Sequence, residues 1–241
     1  FSATSTLGDL NNNGALTLSG PFDFGAGSRD MTINSDVIIS GTIATNNSLD
    51  QKSGPGTLTL LGINGPIDGA GQWQVEDGKL VVDGGDIDKP NGGIRVNSRV
   101  TNGISRIQII NGATVTMSGG GQSARIGSPG GEVSATNILD LSGTLTWTTN
   151  NPGGNMRMGE DCALAQLNLN AGSLLRVGRF NPQGGGFTEV NLNGATVAAN
   201  QSSTTFMEGL SNVTINALGV TIDTEGFDIT INQALTGTGD L

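Results

Sequence analysis

MRMGEDCALAQLNLNAGSLLRVGRF, residues 156–180, holds one small pattern twice: Met156-Arg157-Met158-Gly159 returns nineteen residues later as Leu175-Arg176-Val177-Gly178. The same apolar-Arg-apolar triplet occurs at Ile94-Arg95-Val96 and at Ala124-Arg125-Ile126, the latter followed directly by Gly127. Four of the eight arginines in the chain therefore share one local pattern. After each triplet comes a pair of alternating segments around a small-residue turn: IQIINGATVTM (107–117), LDLSGTLTW (139–147), LNLNAGSLLRV (167–177) and VNLNGATVAA (190–199). VTINALGVTID (213–223) and DITIN (228–232) continue the set.

Each segment alternates apolar with polar residues at period two, the pattern of a strand with one buried face. Asn-Gly, Ala-Gly and Ser-Gly between them supply the positive φ or tight bend of a corner. No window carries apolar residues at helical spacing. Short strands, glycine corners and a repeat of about 19–32 residues predict a β-solenoid, in which each coil is one turn of the chain. The expected fold is all-β, a parallel β-helix forming a single segment over 1–241, with Val, Ile and Leu stacked inward between coils. Stretches such as 148–155 and 181–186 are expected to leave the coils as corner loops.

Between two inward residues the middle one points outward, so Arg95, Arg125, Arg157 and Arg176 are expected to share one outer face. Like charges stacked this closely repel unless acids or an anionic partner intervene. Two readings follow. The row is neutralised within the molecule, Glu132, Glu160 and Asp161 being the nearest acids in sequence, or it binds an anionic glycan or an acidic neighbouring subunit.

Composition narrows the function classes. The chain has 241 residues, 40 of them glycine, with 13% charged, no tyrosine and no histidine, a mixture unlike a helical protein or an ordinary α/β enzyme. A net charge of −10 argues against a nucleic-acid partner. That charge is uneven: residues 94–180 carry seven arginines and four acids, whereas 1–93 carry four basic and eleven acidic residues, and 181–241 six acids and no base. No apolar run is long enough for this segment to insert in a membrane.

Without histidine, Ser-His-Asp and Cys-His mechanisms are excluded, and an enzyme would need paired carboxylates. The densest acidic group is Asp83, Asp86 and Asp88 around a Gly-Gly turn, either a solvated corner or a calcium site; no other cofactor is expected. Cys162 lacks a basic neighbour and reads as a buried or inert thiol. Trp73 and Trp147 read as packing residues, with stacking on a sugar ring as the alternative.

Residues 53–64, SGPGTLTLLGIN, followed by Val75-Glu76-Asp77-Gly78-Lys79-Leu80-Val81-Val82, resemble the autotransporter-associated β-strand repeat over about 48–85. GPIDGAGQW (65–73) departs from that repeat where a Tyr-Thr-Gly-Gly-like turn is usual. The resemblance implies a right-handed β-helix in large secreted or surface-attached bacterial proteins, among them adhesins, fibrous surface layers and, less often, enzymes. MTINSDVIISGTI (31–43) is also similar to ITINQALTGTGDL (229–241), as if slightly more than one superrepeat of a longer protein were present, with 213–241 opening the next. The expected role is a non-catalytic extracellular structural protein, adhesive, building a fibre, stalk or coat by self-association or contact with neighbouring repeats and with surface glycans. The alternative is a polysaccharide-binding or polysaccharide-degrading β-helix that uses the arginine face.

Overall fold

The computed structural model describes residues 4–11, 14–23, 29–43, 50–67, 73–89, 93–119, 123–147 and 154–241. Among these the chain is all-β, and every strand pair is parallel. Three sheets wrap one core as a solenoid. Face 1 has eight strands, from Thr4–Leu7 to Arg179–Pro182; face 2 has ten, from Leu16–Leu18 to Thr236–Gly237; face 3 has seven, from Gly65–Pro66 to Val220–Asp223. Ser203–Met207 and Ile229–Ile231 form a short sheet beside the last strand of face 1.

One coil shows how the sequence makes the turn. Ile94–Val96 runs on face 1, Ile104–Ile110 on face 2 and Thr114–Met117 on face 3, and Ser123–Ile126 then returns to face 1 beside Ile94–Val96. The NGA and LNG segments expected as corners lie between faces 2 and 3, with positive φ at Asn111, Gly112, Gly172 and Gly194. Gly143 fills the same corner for a different reason: a Cβ there would stand 2.3 Å from the Ala113 carbonyl oxygen of the coil below.

Burial follows the alternation. On face 2, Leu58, Leu80, Ile107, Leu139, Leu167, Val190 and Val213 stack in register as an inward ladder, giving coils of 22, 27, 32, 28, 23 and 23 residues. None of these side chains is more than 2% exposed. Apolar burial of this kind contributes about 25 cal/mol per Å2 and is the main force holding the coils together. The ten strands of face 2 stack to a length of about 45 Å at the usual strand spacing.

The two halves of the repeat resemblance lie one above the other. Thr57–Leu61 pairs with Lys79–Asp83 residue for residue, so the two runs are successive rungs of face 2. The segments compared as a superrepeat also occupy equivalent places: Met31–Ile33 is on face 1 and Ile229–Ile231 in the sheet that follows it, while Val37–Ile39 and Thr236–Gly237 are both on face 2. The expected loop at 181–186 is shorter than read, because Asn181 and Pro182 complete a strand of face 1 by pairing with Arg157 and Met158. Most of the other expected loop, 148–153, lies outside the described residues.

One inward position is charged. Lys52 stands in the core ladder of face 1 between Met31 and Val75, 1% exposed. Its Nζ donates to the carbonyls of Gly54 and Asp77, the latter at 2.7 Å, closing the corner to face 2. Burial lowers its pKa from 10.5 to about 8, against the opposing pull of Asp77 and Asp36. Between those values the unfolded chain binds the proton more tightly than the folded one, so unfolding free energy rises with pH. The gain is complete near pH 10.5 and amounts to about 3 kcal/mol. Urea denaturation of Lys52→Met alongside the parent isolates the effect from Cys162, which titrates with the opposite sign: the rise above pH 8 is present in the parent and absent in the variant.

Candidate functional site

The triplets place their arginines by register. Ile94 and Val96, Ala124 and Ile126, and Met156 and Met158 all face the core, so the residue between each pair faces out. Arg95 pairs with Arg125 and Arg125 with Arg157 on successive rungs of face 1. The row continues into Gln74 and Gln51 on one side and Asn181 on the other. Three guanidinium stems thus stand over about 10 Å along the axis.

Compensation within the molecule is incomplete. Arg125 Nη1 lies 3.7 Å from Glu160 Oε2, and its Nε donates to Ser123 Oγ at 3.4 Å. Arg95 Nη1 donates to the neutral Gln74 Oε1 at 3.1 Å. The buried Nε atoms of Arg95 and Arg157 have no hydrogen-bond partner among the described residues, and neither arginine forms an ion pair there. Glu76, the acid nearest the other end of the row, is already engaged: it meets Arg99 at 2.8 Å, accepts from Gln74 Nε2 at 2.6 Å and also accepts from Gln51. Burial raises its pKa. Glu132 and Asp161 are turned to local contacts with Ser134 and the Gly130 amide.

Burial, then the adjacent cations, lower the proton affinity of Arg95 and Arg125. Guanidinium groups stay charged at neutral pH all the same. The row is therefore a partly desolvated stack of like charges, a costly arrangement that an oxyanion would relieve.

Arg176 does not belong to this row. It lies on face 3, paired with Ala198, and makes an ion pair of 2.6 Å with Glu225 as well as a 2.9 Å hydrogen bond to the Trp147 carbonyl. Nineteen residues separate its triplet from that of Arg157, whereas the coil from Met156 to its face 1 partner Phe180 takes 24, so the pattern recurs two faces on within the same coil. Of the four arginines read as one row, Arg95, Arg125 and Arg157 share the outer side of face 1, where Arg179 also faces outward on the next strand and donates to Thr205 Oγ1 at 3.4 Å.

Asp83 lies on face 2 and Asp86 and Asp88 on face 3, across the Gly84-Gly85 corner. Asp83 accepts from Asn111 Nδ2 at 2.7 Å and Asp88 from Ser118 Oγ at 2.6 Å. No group of three metal-ligating side chains gathers among the described residues. Trp73 and Trp147 both point into the core, at 2% and 0% exposure. Cys162 is buried, and burial pushes its thiol above the ordinary value.

Face 2 carries a polar row that the sequence reading passed over. Asp140, 8% exposed, accepts from Gln108 Nε2 at 2.9 Å and from Asn168 Nδ2 at 2.7 Å; Asn191 Nδ2 then donates to Asn168 Oδ1 at 2.9 Å. These residues line a shallow groove of about 520 Å3. The signal was present as the matching polar positions of LDL, LNL and VNLN, which register turns into a hydrogen-bonded ladder. Its amides satisfy one another, whereas the arginine row retains free donors.

No family model matches the chain, and no curated protein or solved structure matches it.

Proposed function

We propose that this chain is a non-catalytic, extracellular structural protein of a bacterial surface, a stiff solenoid that builds a fibre, stalk or coat and presents its outer faces for contact. The observation that carries this reading is the continuity of the core: the inward ladder of face 2 runs in register from Leu58 to Val213 through coils of very different length. An inward ladder held in register while corner lengths vary is what a load-bearing rod requires, since each coil is stabilised by its immediate neighbours. The surface setting is supported by the repeat-like runs at 53–64 and 75–82.

Electron cryo-microscopy of the purified protein tests the reading. Rods that join end to end into particles longer than the ten rungs of face 2 are the expected result. Compact single particles with an open, acid-lined cleft would overturn it in favour of a carbohydrate-degrading β-helix.

A further inference from the structure

We propose that the Arg95–Arg125–Arg157 row on face 1 is a binding strip for a linear acidic polysaccharide lying along the solenoid axis. The proposal deepens the structural reading, since it rests on the outer faces being contact surfaces. Four features of the row support it.

The first is charge. Three cations stacked in register have one acid at ion-pair distance among the described residues, Glu160 at 3.7 Å from Arg125, while Glu76 near Arg95 is itself paired with Arg99. Evolution of a folded rod alone gives no reason to stack like charges on paired positions, where they oppose folding. The second is unmet hydrogen bonding: the Nε donors of Arg95 and Arg157 are buried yet unpartnered among the described residues. A guanidinium fork matches a carboxylate or sulfate with two parallel bonds, so an oxyanion on the outward Nη groups offsets the charge that the buried row leaves uncompensated.

The third is shape. The row runs along the axis over successive rungs, extended at its ends by the amides of Gln74 and Asn181, and so suits an extended polymer better than a small ion. The fourth separates a glycan from a protein partner. Protein interfaces are anchored by buried aromatic and aliphatic residues. Among the described residues, the exposed large apolar side chains, Leu61, Ile104 and Phe187 among them, are on face 2 or between strands, and none stands on a face 1 strand. Beside the arginines on the same outer row stand the amides of Gln74, Gln51 and Asn181, groups that pair with sugar hydroxyls.

Isothermal titration of the whole chain with an oligogalacturonate hexamer and a heparin-derived hexasaccharide tests the proposal, with a neutral cello-oligosaccharide and poly-L-glutamate in parallel. Binding of at least one acidic oligosaccharide is expected, weakening as salt is raised. Arg157→Gln lowers the affinity about tenfold, and Arg125→Gln with Arg157→Gln about a hundredfold, as expected for the loss of one and two charge-assisted contacts. Arg176→Gln, on face 3, leaves it unchanged. Thermal melting guards against misfolding: relieving repulsion in the row leaves the melting temperature of the Arg157→Gln protein equal to or above that of the parent.

Failure of both acidic oligosaccharides to bind overturns the proposal, as does undiminished binding by the double variant. Equal affinity for poly-L-glutamate assigns the strip to an acidic protein segment instead. Lateral, salt-sensitive self-association in sedimentation velocity that disappears in Arg157→Gln assigns it to a second copy of this chain. Binding accompanied by cleavage of the oligosaccharide would retain the strip and overturn the non-catalytic role; absence of both binding and cleavage would overturn the strip alone.

Discussion

Replacing Trp147 with alanine lowers the unfolding free energy by about 4 kcal/mol, the largest loss expected from a single truncation in this protein. Trp147 has no exposed surface and stands on the inner side of face 3, in register with Met117 one coil below. Truncation removes the transfer free energy of the indole and leaves a void that the close-packed core and the paired strand below hinder from collapsing. Because coils are stabilised mainly by their neighbours, the damage is local. Hydrogen exchange then speeds up in Thr114–Met117, Thr144–Trp147 and Leu174–Val177, while Thr57–Leu61 stays protected. Glycan affinity does not change, since the ring faces the core. A loss below about 1 kcal/mol, or a loss of glycan binding with the fold intact, would contradict the assignment of Trp147 to the core.

Gly78→Ala costs roughly 2–4 kcal/mol, of which about 1–2 kcal/mol is the penalty for an L-residue at positive φ. Gly78 has φ +64, and a Cβ there would stand 2.6 Å from the Gly54 carbonyl oxygen, 2.7 Å from that of Gly56 and 2.7 Å from Lys52 Nζ. The backbone of the two coils must separate and the ammonium must shift as well, straining the hydrogen bonds of buried polar groups. Gly112→Ala is the matched comparison: φ is +74, but nothing lies within 4 Å of the added carbon. That variant loses about 1 kcal/mol, the conformational part alone. Urea denaturation of both separates steric from conformational cost, and equal losses would show that the corner at Gly78 is looser than its geometry implies.

The architecture was legible because inward and outward residues alternate in short runs bounded by Asn-Gly and Ala-Gly, so strands and corners could be read locally. Which strand lay above which was less legible. Ile-Arg-Val, Met-Arg-Met and Leu-Arg-Val look alike because any face of a solenoid demands the same alternation. Only coil length assigns a face, and between Leu58 and Val213 it varies from 22 to 32 residues. Arg176 was misplaced for that reason. Lys52 was hidden by the opposite effect: in Gln51-Lys52-Ser53 the charged residue takes the inward place, which alternation of hydropathy cannot reveal. The Asp140–Asn168–Asn191 ladder was visible as recurring polar residues, but its mutual hydrogen bonding depends on register.

The central claim is that these faces hold a polymer without transforming it. Its most direct test is to incubate the protein with polygalacturonate and with heparin for many hours and to count new chain ends, as reducing sugar and as unsaturated uronate absorbance. The account predicts polymer retained by the protein with no new ends above a buffer control. New ends that grow with protein concentration, and that persist in a preparation of Arg176→Gln, would contradict it.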